Sequence, residues 1–418
     1  MKKILAIALA LVMVVAAVSA LADITIVQNK VEIDAALQEF AKLYEQKTGV
    51  KVKVITGGGS SDYNTVLKAE FASGSEPDIF VIEGPSGYDL YAEKIAPMDG
   101  AEWTKYTEQA YLNPEGKIVG FPVAVEGYGL AYNKDILDKA GIDPATLVNV
   151  DAYKAAFEKL DSMKGELGLD AVVSMAGGTA AGMTWVTGLH NFNVYLTVGL
   201  ARNDTSVIDA VLEGKVIDDR FHEYCQYVAL LLKYCDKDIF VNGTQDMQLA
   251  AFMNGKTAFY HQGNWMDPNI AAFEKDNNVS FPMAFAPHAF LKEDTDGILV
   301  NPPSWYVVNG NTGKADEAIA FLNFMATSEE GHDYMVNKAA MVPAFTNVTL
   351  EPATPLSKSV MQWNAAGKTY SWQQYKLWDG FGMGTLGGYY ELLATDAIDV
   401  DTFEEMVKQA IAERAAQK

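Results

Sequence analysis

Short apolar runs separated by amphipathic stretches constrain this chain more than any other feature. Ile24-Thr25-Ile26-Val27 is the first run. Ile33, Leu37, Phe40 and Tyr44 then recur at helical spacing, and Gly49 supplies a residue suited to ending that helix. Val50, Val52 and Val54 alternate with Lys51 and Lys53, the pattern of a strand near a sheet edge. Asp78-Ile79-Phe80-Val81-Ile82 is a continuous apolar run of the kind buried in a parallel sheet. Strands alternating with helices predict an open α/β sheet with helices on both faces. Such sheets bind ligands beyond the carboxyl ends of their strands. Three loops are therefore expected on one rim: Gln28-Asn29-Lys30, Gly57 to Asp62, and Glu83-Gly84-Pro85-Ser86-Gly87.

The N-terminus predicts export. Lys2 and Lys3 precede an apolar run from Ile4 to Val18, and Ala20-Leu21-Ala22 forms a small-x-small cleavage site. A signal peptide over 1–22 and a mature start at Asp23 follow. A membrane span needs roughly 20 apolar residues, and the run of fifteen is shorter. Asp23, not Cys, stands at the first mature position, so a diffusible periplasmic or secreted protein is expected, without direct membrane insertion.

Charge narrows the partners. Asp and Glu number 54 against 32 Lys and Arg, a net charge of −22. That balance opposes nucleic acid, whose binding rests on neutralising phosphates. Arg202, Arg220 and Arg414 are the only arginines. Planar recognition of carboxylate or phosphate favours Arg, so a neutral ligand is expected over an anionic one. Cys225 and Cys235 stand ten residues apart in a helical stretch, which spaces them about 15 Å. A disulfide needs Cα atoms within about 7 Å, so two buried free thiols are expected.

Four blocks carry a family resemblance. The first runs Lys117-Ile118-Val119-Gly120-Phe121-Pro122-Val123-Ala124-Val125-Glu126 and on to Leu130-Ala131-Tyr132-Asn133-Lys134-Asp135. The others are Glu76-Pro77-Asp78-Ile79-Phe80, Ala251 to Phe259 followed by Gly263-Asn264-Trp265, and Glu317-Ala318-Ile319-Ala320-Phe321-Leu322 through Gly331. In order and spacing they resemble the extracellular solute-binding proteins of carbohydrate ABC importers. The resemblance implies an α/β, two-lobed periplasmic-binding-protein fold. Each lobe would be an open, mostly parallel sheet flanked by helices, joined by a multi-strand hinge. It implies a first lobe of 23–125 plus 291–340 and a second of 126–290 plus 341–418. A carbohydrate ligand would bind between the lobes of a monomer, and closure would present it to the ABC permease membrane subunits. No catalysis, metal or cofactor is implied.

The ligand-binding candidates follow partly from that resemblance. Trp265 ends the block where the family carries a cleft tryptophan, and Glu126 matches a glutamate that contacts sugar; core packing and a hinge salt bridge are the competing roles. Trp185 lies in the small-residue loop Ala181-Gly182-Met183-Thr184, and Trp305 follows Asn301-Pro302-Pro303-Ser304 near a hinge crossing. Trp363, Trp372 and Trp378 share an aromatic stretch with Tyr370, Tyr375 and Phe381. Such a stripe is more often core, with Trp372 and Trp378 the members expected to reach the cleft. Trp103 reads as structural. Glu83 sits at a strand end within reach of a ligand hydroxyl. Asn29, Asp62, Asn264 and Asp379 complete the set, while solvation of a helix end explains Lys30 and Glu32 equally well. Departures after the third strand, at Glu83-Gly84-Pro85-Ser86, and over Gly177 to Asn193 argue against maltose itself.

Other chemistry is thinly supported. A secreted glycoside hydrolase would need two carboxylates roughly 5–9 Å apart, nominally Glu83 and Glu126, and the family blocks speak against it. An adhesin without small-molecule binding fits poorly with tryptophans in predicted cleft loops. Gly57-Gly58-Gly59-Ser60-Ser61 lacks the Gly-Lys-Ser/Thr of a P-loop. His190, His222, His261, His288 and His332 lack metal-ligand spacing. Asp401 with Glu404 resembles a helix-capping pair.

Overall fold

The computed structural model describes residues 23–58, 63–74 and 76–417. The expected signal peptide at 1–22 and the candidate Asp62 lie outside them. In chain order the strands are β1 (Ile24–Gln28), β2 (Val52–Thr56), β3 (Ile79–Ile82), β4 (Tyr111–Leu112), β5 (Ile118–Pro122), β6 (Glu126–Tyr128), β7 (Leu130–Asn133), β8 (Val173–Ser174), β9 (Phe259–Tyr260), β10 (Met283–Ala286), β11 (Ile298–Asn301), β12 (Trp305–Val308) and β13 (Thr369–Tyr370). They form sheets ordered β2-β1-β3-β12-β5-β4, β10-β7-β9-β8 and β13-β11-β6.

The first sheet begins as the apolar runs predict. β1 pairs in parallel with β2 and with β3, and β2 stands at the edge. The helix Asp34–Thr48 makes the crossover and stops at Gly49, whose φ of 79° is left-handed. Its buried face, Leu37, Phe40, Ala41 and Tyr44, meets the rings of Phe321 and Tyr334. The other half of the sheet differs from expectation. β12 enters between β3 and β5 antiparallel to both, because the chain re-enters this sheet from its far side. In the second sheet only β8 and β9 run parallel. The sheets are thus mixed rather than mostly parallel.

Two large cores result. Trp103, Phe121, Tyr306, Phe321 and Phe345 centre one. Trp103 is fully buried, edge-on to Phe121 at 5.2 Å, a packing role as expected. Tyr153, Phe157, Tyr224, Phe259 and Phe403 centre the other. Val125 packs against both and bridges to Val342. The chain therefore crosses between cores near Val125, between β11 and β12, and near Val342. The expected lobe segments shift at two places. Ile298, Leu299 and Val300 join the second core, because β11 pairs with β6. Met341, Ala344 and Phe345 join the first.

Cys225, within the helix Asp218–Lys233, and Cys235, just beyond it, are buried and unbonded to each other. Asp399, not Asp401, caps the helix Val400–Ala415, accepting from the Thr402 amide at 2.8 Å. Glu404 instead pairs with Lys408 and His222. Among the described residues no helix is long and apolar enough to cross a membrane.

Candidate functional site

The carboxyl ends of β1 and β3 and the start of β12 share one rim, since Trp305 pairs with Ile82. The buried side chain of Gln28 shapes the first loop. Its Oε1 accepts from the Lys30 amide at 2.6 Å, and its Nε2 donates to the Lys30 carbonyl at 2.9 Å. This fold-back turns Lys30 toward β6. Lys30 Nζ donates to Glu32 Oε1 at 2.8 Å and forms a second ion pair with Glu126. Beside them Asn29 Nδ2 donates to Glu83 Oε1 at 2.6 Å. Burial alone would lower the Lys30 pKa; the charges of Glu126 and Glu32 outweigh it and raise it. Burial raises the Glu126 and Glu83 carboxyls, and Lys30 opposes both shifts. Glu83 is reached by solvent yet set among protein groups that raise and lower its carboxyl.

An aromatic wall faces this charged cluster. Glu126 and Tyr128 project to one side of β6, because strand side chains alternate. Gly127 between them turns to the helix Pro355–Ala365, where a Cβ would come within 2.8 Å of Val360. The Tyr128 ring stacks on His190 with centroids 4.9 Å apart. Around His190 stand Trp265 at 4.9 Å, Trp185 at 5.2 Å and Trp372 at 5.2 Å. His190 belongs to the π-helical turn Val186–Asn191, a geometry frequent at functional sites. The cavity between Lys30, Glu126 and Trp265 is about 10 Å³, room for one water at most. At the outer rim Tyr375 packs on Gly84, where φ is 99° and an added Cβ would lie 2.5 Å from the ring. The two cores are thus shut against each other here.

Hydrogen bonds anchor the wall from behind. Trp265 Nε1 donates to Gln262 Oε1 at 2.8 Å, and Gln262 donates onward to Gln248 at 3.0 Å. Gln248 in turn donates to the carbonyls of Ser174 and His261. Asn191 meets His261 at 3.2 Å, and Tyr227 meets His288 at 2.8 Å. Burial pushes the imidazoles of His190 and His261 down to about 3 and that of His288 well below its ordinary value. All three are neutral at physiological pH. Among the described residues no group of three or more His, Cys, Asp or Glu could hold a metal ion.

Trp265, Trp185 and Trp372 therefore come together, with Glu126 beside them and Glu83 and Asn29 paired at the rim. Asn264 lines the same cavity but its side chain is spent internally. It accepts from the Gly127 amide at 2.8 Å and donates to Ser357 at 3.1 Å. Trp305 stands at the rim with Nε1 donating to the Gln109 carbonyl at 2.7 Å and its ring 6.4 Å from Tyr375. Trp378 is apart from the wall, against Phe381 at 5.2 Å and under Arg414. Asp379 is exposed, and its charge adds to burial in raising the Tyr91 hydroxyl. Tyr128, His190 and Tyr375 were not among the expected site residues. Tyr128 was within reach, two positions from Glu126 on the same strand face.

A sequence profile described as bacterial extracellular solute-binding protein matches residues 39–367. An uncharacterized ABC transporter extracellular-binding protein of Pyrococcus horikoshii is 23% identical over 355 residues, covering 82% of this chain and 74% of the relative. A maltooligosaccharide ABC transporter solute-binding lipoprotein of Streptococcus pneumoniae is 23% identical over 320 residues, covering 74% of this chain and 69% of the relative. Among solved structures, a sugar transporter of Bacillus licheniformis in complex with stachyose superposes with a TM-score of 0.72 at 18% identity, over 92% of this chain and 98% of that one.

Proposed function

The chain belongs to the bacterial extracellular solute-binding proteins, and from that membership we propose that it captures a sugar or short oligosaccharide for an ABC importer. The wall of Tyr128, Trp185, Trp265 and Trp372 carries this reading. A sugar has apolar C–H faces ringed by hydroxyls, and flat rings beside a few polar groups complement it. In this reading Trp265, Trp185 and Trp372 stack on the sugar. Glu126 and Glu83 accept from hydroxyl pairs, as charge-assisted bonds roughly twice as strong as neutral ones. Asn29, Asp379 and Trp305 border the entrance. The ligands named for two relatives, maltooligosaccharide and stachyose, are neutral oligosaccharides and favour the same class.

The three chain crossings act as a hinge between lobes built on the two cores. Opening separates Lys30 from Glu126 and Tyr375 from Gly84 and admits the ligand; closure presents the loaded protein to the permease. The protein works as an exported monomer, released from its signal peptide before Asp23, and leaves its ligand chemically unchanged. Calorimetry on refolded mature protein tests this, with raffinose, stachyose, maltotriose and lactose, and amino acids as controls. Saturable binding of a sugar, recovered intact, is expected. Binding of none of the sugars, or their consumption, would overturn it.

A further inference from the structure

His190 occupies the centre of the wall, and packing alone does not explain why an imidazole stands there. Four rings surround it at 4.9–5.2 Å. A phenylalanine would fill that position with nothing polar to satisfy. The imidazole nitrogens of His190 make no hydrogen bond to any described residue, whereas His261 and His288, deeper in the same cluster, are each tied through one nitrogen, to Asn191 and Tyr227. His190 also keeps partial exposure, and His261 and His288 are fully buried. Polar groups in low-dielectric surroundings are costly unless partnered. This one stands unpartnered at a position that solvent, and so a ligand, can reach.

Its position is fixed from behind. The Tyr128 hydroxyl donates to the His190 carbonyl at 2.8 Å, and Asn193 Nδ2 donates to that hydroxyl at 3.2 Å. Asn193 Oδ1 accepts from the Gln373 amide at 2.8 Å, next to Trp372 in sequence. The backbone at His190 is thus anchored, and the four surrounding rings hold the imidazole before any ligand arrives, which lowers the entropy lost on binding.

We propose that His190 is the specificity-determining polar contact of the sugar site, donating from one ring nitrogen and accepting at the other against hydroxyls of the bound sugar. This rests on the sugar-binding reading above. A neutral imidazole offers one donor and one acceptor, matching a hydroxyl, which is both. Burial, His261 and Lys30 all disfavour the imidazolium, so that dual character persists through the physiological range. A site built to hydrogen-bond a hydroxyl rejects an analogue lacking it far more strongly than an apolar pocket rejects a small change in size.

The test uses His190→Phe, which keeps the stacking, and His190→Gln, which keeps a donor and an acceptor. Both are titrated as full-length mature protein with raffinose, stachyose, maltotriose and lactose, after melting curves establish that each is folded. The sugar bound most tightly by the unaltered protein should bind His190→Phe about 10- to 100-fold more weakly, with a large part recovered in His190→Gln. Singly deoxygenated derivatives of that sugar supply the readout that a packing role would not move. One position should be penalised in the unaltered protein and no longer penalised in His190→Phe. Binding of His190→Phe within twofold, with discrimination intact, overturns the assignment and leaves sugar binding standing. Failure of the unaltered protein to bind any of the four sugars overturns the sugar reading and this assignment with it.

Discussion

The indole of Trp265 lies across Gly263 so closely that a Cβ on the glycine would come within 2.1 Å of the ring. The backbone at 263 therefore sets where this indole can stand in the wall. Gly263→Ala should push the indole aside, weaken sugar binding at least tenfold and shift the tryptophan emission. Trp265→Ala should weaken binding further while the protein stays folded, at a stability cost of about 3 kcal/mol. Unchanged affinity in Trp265→Ala would remove it from the site.

Lys30 faces Glu126 and Glu32 in a nearly buried cluster. Removing one partner of such a pair leaves the other charge unpaired and costs about 3 kcal/mol or more. Lys30→Met should destabilise by that order in urea titrations, and Glu126→Gln added to it should restore part of the loss. Additive effects in the double variant would show that the two residues do not interact.

Three neutral imidazoles predict acid sensitivity. Unfolded histidine titrates near 6.5, whereas His190 and His261 are pushed down to about 3 and His288 well below its ordinary value. Below 6.5 the unfolded chain therefore binds more protons than the folded one, and stability falls as pH falls. Asp267 works the other way, since burial raises its carboxyl from 3.8 to about 6, so it adds stability only as pH drops through that value. Between pH 7.5 and 6 the histidines dominate, each removing roughly 1 kcal/mol by pH 6. Denaturation series across that range should show the loss, and His261→Gln should make it about a third smaller. A flat profile would mean that these rings are not buried as described.

Gly84 and Tyr375 hold the two sides of the cleft together, and the φ of 99° at Gly84 is itself unfavourable to any side chain. Gly84→Ala should disengage Tyr375 and favour an open form. Small-angle scattering without ligand should give a larger radius of gyration than for the unaltered protein, and saturating sugar should narrow the difference. Equal radii under both conditions would show that the contact has no hold on the conformation.

Cys225 and Cys235 are buried with raised thiol pKa values, about 12 for Cys235, so little thiolate exists to react. Neither should be alkylated at pH 8 until the chain unfolds, and reductant should leave the melting temperature unchanged. Rapid alkylation of the folded protein would contradict their burial.

Local periodicity made the first half of the β2-β1-β3-β12-β5-β4 sheet legible. Period-two and period-3.6 patterns are properties of neighbouring residues, so the edge position of β2 and the stop at Gly49 followed directly. The antiparallel entry of β12 depends on where a distant segment returns, which no local pattern encodes. The same division governs the site. Glu126 and Trp265 were marked by the blocks around them. Trp378 shares its stretch with Trp372, but packing against Phe381 and Arg414 takes its ring elsewhere. His190 gave no signal, because its four neighbours come from separate stretches and a lone histidine in a helical segment usually only packs.

β12 lies in the interior of the β2-β1-β3-β12-β5-β4 sheet, flanked by strands made much earlier in synthesis. Until Val308 has left the ribosome, β3 and β5 each present an unpaired row of amides and carbonyls, and the first core lacks the face that Tyr306 supplies. An emerging N-terminal portion cannot complete this sheet by itself. Translation order thus keeps a long N-terminal segment from completing its own sheet until the returning strand has been made.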